Sequence, residues 1–277
     1  MRPLNDKEVK LFQSDLYPLR IFLEQNGLYL PNIKNIFEAT TFQIESKQEL
    51  KGARGITYED NKIGILDELV LDNYQRARTI YHELTHVMFK NDRYTDENLN
   101  NIIQLKNNNP AELPLGLEVY AQGLMCLEEY LAETFSLMAC TYAKRINTPK
   151  KVSLLTPGIC GKYAYQSNFG TNYGIFQTTC EKIIERLFGS NENAVKAAFN
   201  GQYYSSFFAT NDNVEMMKLL GNLGQIYGAI QTYAGYERPC ISEYSPSNIE
   251  QLLYETNLKT NSISRQVQTQ NIGRNHH

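Results

Sequence analysis

The segment "TIYHELTHVMF", residues 79 to 89, places His82 and His86 four positions apart, with Glu83 directly after the first. On an α-helix, positions i and i+4 differ by about 40° around the axis, so two imidazoles at that spacing project side by side and can bind one cation. Position 83 lies about 100° from position 82. Its carboxylate can therefore reach a water on that cation without being a ligand, which is the arrangement metal-assisted hydrolysis requires of a general base.

The rest of the helix supports a divided role. The chain holds four histidines, and the other two, His276 and His277, end its C-terminal stretch. With Leu84 taken as origin, Ala77, Ile80, Tyr81, Leu84, Val87 and Met88 fall within about 60° of one another's mean direction, whereas the histidines lie near roughly 160° and 200°. One face packs on a core and the other is left for a cleft. A catalytic Zn²⁺ commonly takes three protein ligands and keeps one position for water. With histidine exhausted, the third ligand must be Asp, Glu or Cys. The segment "LEEYLAETFS" (127 to 136) sits in a long helical pattern from 116 to 145, whose apolar stripe is Leu124, Leu127, Leu131, Phe135, Met138 and Tyr142. Glu129 and Glu133 fall opposite that stripe, near about 140° and 180°, and Glu128 falls at its edge, near about 40°. Glu129 and Glu133 thus rank ahead of Glu128, with Glu118, three turns earlier on the face of Glu129, third.

The elements that must position these groups can be read from periodicity and turn signals. Residues 5 to 26 read as a helix opened by Asn5 with Glu8 completing a capping box, and Pro18 predicts a kink or break. "TTFQIE" (40 to 45) reads as a strand and "GITYEDNKIGIL" (55 to 66) as a hairpin turning at "EDNK". The Asn-rich stretch from 91 to 115, with Pro110 and Pro114, reads as loop or poorly ordered helix. Beyond the long helix, 151 to 174 is broken by turn residues, and helical segments follow near 175 to 188, 191 to 199 and 212 to 234. After 243 the chain is polar and loses periodicity, which predicts a mobile tail. The expectation is an α+β fold: a small sheet or hairpin beside the histidine helix in a domain over 1–150, a helical subdomain over 151–242 completing the cleft, and the tail over 243–277.

Composition narrows the function classes. At 277 residues, 42% hydrophobic and 21% charged, the chain can bury a sizeable core. A formal charge of -3 offers no broad basic field, so nucleic acid is not the expected partner. Five cysteines without a C-x-x-C pair suit free, packed thiols. The N-terminus lacks an apolar signal core and no run approaches a membrane span, which predicts a cytoplasmic protein or an effector delivered by another route.

The pattern His82-Glu83-x-x-His86 matches the H-E-x-x-H motif of zinc peptidases. Followed by Glu129-Tyr-Leu-Ala132-Glu133, it resembles the gluzincin pattern H-E-x-x-H … E-x-x-A-D, with Glu133 where Asp is usual. The run from "NKIGIL" through "NYQRARTIYHELTH", with "E-x-x-A-x-x-F" at 129 to 135, is similar in layout to the ImmA/IrrE-type metallopeptidases, over residues 55 to 140. The resemblance implies a zincin-like fold, Zn²⁺ as cofactor, Glu129 as third ligand and Glu133 orienting a ligand histidine. It further implies an endopeptidase acting on a protein or peptide substrate, with a non-catalytic protein-binding module on the same scaffold as the alternative. Such enzymes usually add a donor for the oxyanion. Tyr203 and Tyr204 are candidates, with aromatic packing the favoured reading of both. By analogy with the family, an extended substrate would pair with the edge of the 55 to 66 hairpin.

Overall fold

The computed structural model describes residues 1–50, 53–58, 60–93, 96–144 and 169–233. The expected tail, with His276 and His277, lies outside these, as does most of the turn-rich stretch from 151 to 174. The fold is α+β, mostly helical, with one four-stranded mixed sheet. The chain divides into two units that alternate along the sequence. The first comprises Met1–Thr95, Glu129–Leu154 and Val195–Tyr204, and the second Asp96–Glu128, Leu155–Ala194 and Ser205–His277.

In the first unit, strand β1 (Arg2–Pro3) leads into helix α1 (Asp6–Gln25). The side chain of Asn5 accepts from the backbone N–H of Lys7 and Glu8, and Glu8 accepts from the N–H of Asn5 at 2.8 Å, so the expected capping box is present. The helix continues through Pro18 to Gln25. Helix α2 (Pro31–Ala39) has no counterpart in the sequence reading; its start is marked by Pro31, whose fixed φ suits a first helical position. Strands β2 (Thr41–Glu45), β3 (Gly55–Thr57) and β4 (Lys62–Leu66) follow. The order is β1-β2-β4-β3, with β3 and β4 antiparallel and β2 parallel to β4, placing Phe42 beside Ile63 and Ile44 beside Ile65. The 55 to 66 hairpin is therefore real, and β3 is an edge strand with no described strand on its outer side.

A 3₁₀ turn (Asp67–Leu69) delivers the chain to helix α3 (Asn73–Arg93), which packs on β3 and β4. Asp72 opens α3 by accepting from the N–H groups of Tyr74 and Gln75 at 3.0 and 2.9 Å. Of the apolar stripe deduced for this helix, Ala77, Ile80, Tyr81, Leu84 and Val87 are buried and Met88 is half-buried. Arg76, fully buried, pairs with the equally buried Asp15 of α1 at 2.7 Å, while the Tyr81 hydroxyl donates to the Asp15 carbonyl at 2.8 Å. Helix α1 thereby holds α3 by charge as well as by packing.

Of the two readings of the Asn-rich stretch, loop or poorly ordered helix, the helical one holds over α4 (Asp96–Asn108), and α5 (Leu117–Tyr142) is the long helix expected. The C-terminal half supplies α6 (Phe169–Phe188), α7 (Asn191–Phe199), α8 (Ser205–Ala209) and α9 (Asn213–Tyr233). In the second unit α5 and α9 meet backbone to backbone: a Cβ on Gly123 would collide with the Leu220 carbonyl, and one on Gly224 with that of Val119. In the first unit Phe135 of α5 stacks near Phe22 and Phe199, with ring centroids 5.9 and 5.2 Å apart. Cys126, Cys140 and Cys180 are buried thiols outside any disulfide; Cys160 and Cys240 lie outside the described residues.

Candidate metal centre

The centre is built from one face of α3 and the second half of α5, both in the first unit. His82 and His86 emerge from the face of α3 opposite its buried stripe and are only partly exposed. Their rings meet edge to face with centroids 4.8 Å apart, and their Nε2 atoms are 3.1 Å apart. Glu129 closes the triangle, its Oε2 lying 3.3 Å from His82 Nε2 and its Oε1 3.4 Å from His86 Nε2. Among the described residues, His82, His86 and Glu129 form a cluster that can hold a metal ion, each offering one ligand atom.

The fit can be judged from distances. A tetrahedral cation bound to N and O at about 2.0–2.1 Å separates neighbouring ligand atoms by roughly 3.3–3.4 Å. The two imidazole nitrogens are 3.1 Å apart, close to that scale, and each faces a different oxygen of Glu129, at 3.3 and 3.4 Å. Two imidazole nitrogens and a carboxylate are also a donor set suited to a transition-metal dication. Desolvation pushes the Glu129 carboxyl up, but the charges and hydrogen bonds of His86 and His82 outweigh it and hold the group well below the usual carboxylate range. Glu129 is thus an anion facing two imidazoles. Its side chain is 32% exposed.

Outer contacts orient the first imidazole. Glu133, one turn after Glu129 and buried, places Oε2 3.3 Å from His82 Nδ1, the ring nitrogen turned away from the cluster. A carboxylate there selects the tautomer that leaves Nε2 free to bind. Arg78, one turn before His82 on α3, pairs with Glu133 Oε1. Sequence reasoning did not single out Arg78, although its i,i+4 placement ahead of His82 is visible in the chain.

Glu83 is not one of the three residues of the cluster. It is buried, and its carboxylate Oε2 accepts from the Thr57 hydroxyl of β3 at 2.8 Å. The other acidic candidates are placed elsewhere: Glu128 is buried and outside the cluster, and Glu118 is exposed in the first turn of α5. Tyr203 and Tyr204 are fully buried and pack their rings edge to face, with centroids 5.3 Å apart, in keeping with the packing reading. No helix among the described residues is long and apolar enough to cross a membrane. No family model, curated protein or solved structure matches the chain.

Proposed function

We propose that the chain is a zinc-dependent endopeptidase with a zincin-like catalytic unit, hydrolysing peptide bonds in a protein substrate. The observation that carries this reading is the convergence of His82, His86 and Glu129, with one ligand atom of each within 4.8 Å of the others, and with Glu83 adjacent in sequence yet not a member of the cluster. A purely structural site has no use for a carboxylate at that position. His82, His86 and Glu129 would hold the ion, with Glu133 and Arg78 behind His82. When bound there, zinc supplies Lewis-acid polarisation of the substrate carbonyl and makes water more acidic.

The chain's own groups do the rest. Glu83 takes the proton of the attacking water as its oxygen adds to the carbonyl carbon, and returns it to the amine nitrogen as the C–N bond breaks. Substrate positioning falls to β3. Arg54 and Tyr58 bond to β4 through Leu66 N–H to Arg54 O at 3.0 Å and Tyr58 N–H to Lys62 O at 2.8 Å. By the alternation of an antiparallel ladder, Gly55 and Thr57 direct their backbone groups to the open edge, where an extended peptide can pair.

The test is metal content and turnover of an unfolded protein substrate by wild type and Glu83→Gln. The expected outcome is one zinc per chain in both proteins and a loss of about 10²–10⁴ in rate in the variant. Equal activity in the two proteins refutes the mechanism. Zinc without turnover in the wild type favours a protein-binding module on the same scaffold.

A further inference from the structure

We propose that Thr57 is the positioning residue of Glu83: its hydroxyl, held on edge strand β3, fixes the carboxylate that the proposed reaction uses as base. The inference rests on that reading of Glu83 and adds the group that aims it. Thr57 Oγ1 lies 2.8 Å from Glu83 Oε2 and 3.0 Å from the Glu83 backbone oxygen, two acceptors for its one proton, of which the carboxylate oxygen is the nearer. A carboxylate is an acceptor only, and the threonine hydroxyl is the donor.

The stem of Glu83 is confined by the same strand. A Cβ on Gly55 would lie 2.8 Å from Glu83 Cγ, 3.0 Å from its Oε1 and 2.7 Å from Thr79 Cγ2. Only glycine at position 55 leaves the carboxylate its place. Gly55 and Thr57 are two apart on one face of β3, opposite Ile65 and Ile63 of β4, so one short strand supplies both the space and the hydrogen bond. The strand is tied to the helix that carries Glu83 by Arg54, whose Nη1 donates to Gln75 Oε1 at 2.7 Å. A glutamate left free would sample many rotamers, and holding it in one beforehand removes that entropy from the barrier.

The competing explanation is that Thr57 is a β-branched strand residue whose hydroxyl merely satisfies a helix carbonyl. A double-mutant cycle in the full metal-free chain separates the two, using Thr57→Val, Glu83→Ala and the double variant in urea unfolding. The expected result is a lowered urea midpoint for Thr57→Val, with the loss shrinking to less than half in the Glu83→Ala background. Equal losses in both backgrounds overturn the proposal. In the zinc-loaded chain, Thr57→Val should lower kcat roughly tenfold with KM and zinc content unchanged, and Thr57→Ser should restore it. A Thr57→Val kcat equal to wild type also overturns it. If the wild type itself shows no turnover, the peptidase reading falls, and the unfolding cycle still decides whether Thr57 holds Glu83.

Discussion

Replacing Asp15 by Ala should destabilise the first unit far more than the loss of one surface carboxylate would. Arg76 has no exposed side-chain surface, and its guanidinium is held by Asp15 Oδ2 at 2.7 Å, by the Val70 carbonyl and by Asn73 Oδ1 at 3.0 Å. Removing Asp15 leaves the cation buried with neutral acceptors only. Breaking one side of such a pair costs about 3–5 kcal/mol, a large share of the roughly 5–15 kcal/mol that holds a domain folded. At about 2–4 °C per kcal/mol, the melting temperature should fall by about 6–20 °C. Urea unfolding of metal-free Asp15→Ala, with Arg76→Met and the double variant alongside, measures the effect. The double variant should recover much of the loss, because it removes the orphaned charge along with its partner. Zinc affinity of the folded protein should stay within a few-fold of wild type, since the pair anchors α3 to α1 while the spacing of His82 and His86 is internal to the helix. A loss below about 1 kcal/mol, or a double variant as unstable as the sum of the singles, refutes the reasoning.

Glu129→Ala should lose zinc by more than the roughly 10–100-fold typical of outer partners, whereas Glu128→Gln and Glu118→Ala should keep it; metal analysis after dialysis against a competing chelator checks all three. Arg78→Met and Glu133→Ala should each weaken zinc binding by about 10–100-fold while leaving one zinc per chain at saturation, as read by competition with a chromogenic chelator.

What could be read in advance was whatever a single element determines by itself. The side-by-side placement of His82 and His86 follows from helix geometry alone, and the buried stripe of α3 follows from its periodicity. The same holds for α5, where the face opposite Leu127 and Leu131 carries Glu129 and Glu133. Contacts that depend on how elements meet were not legible. The parallel pairing of β2 with β4 joins strands separated by the intervening β3, and nothing local in "TTFQIE" specifies that neighbour. Thr57 and Gly55 acquire their relation to Glu83 only once β3 lies against α3. Helix α2 escaped because it is nine residues long and lacks a side-chain cap, which left Pro31 as its main signal. Helix α4 forms in an asparagine-rich stretch because Ile102, buried there, gives it an apolar side to pack.

The edge-to-face pair of His82 and His86 also makes this centre visible by spectroscopy. A chain with four histidines yields few imidazole signals in a nuclear magnetic resonance spectrum, and two of the four belong to the cluster. At a centroid distance of 4.8 Å each ring feels the ring current of the other, so a change in their mutual angle moves both sets of resonances. Selectively labelled histidine would therefore report occupancy, tautomer and ring geometry at one place, residue by residue, without any substitution in the chain.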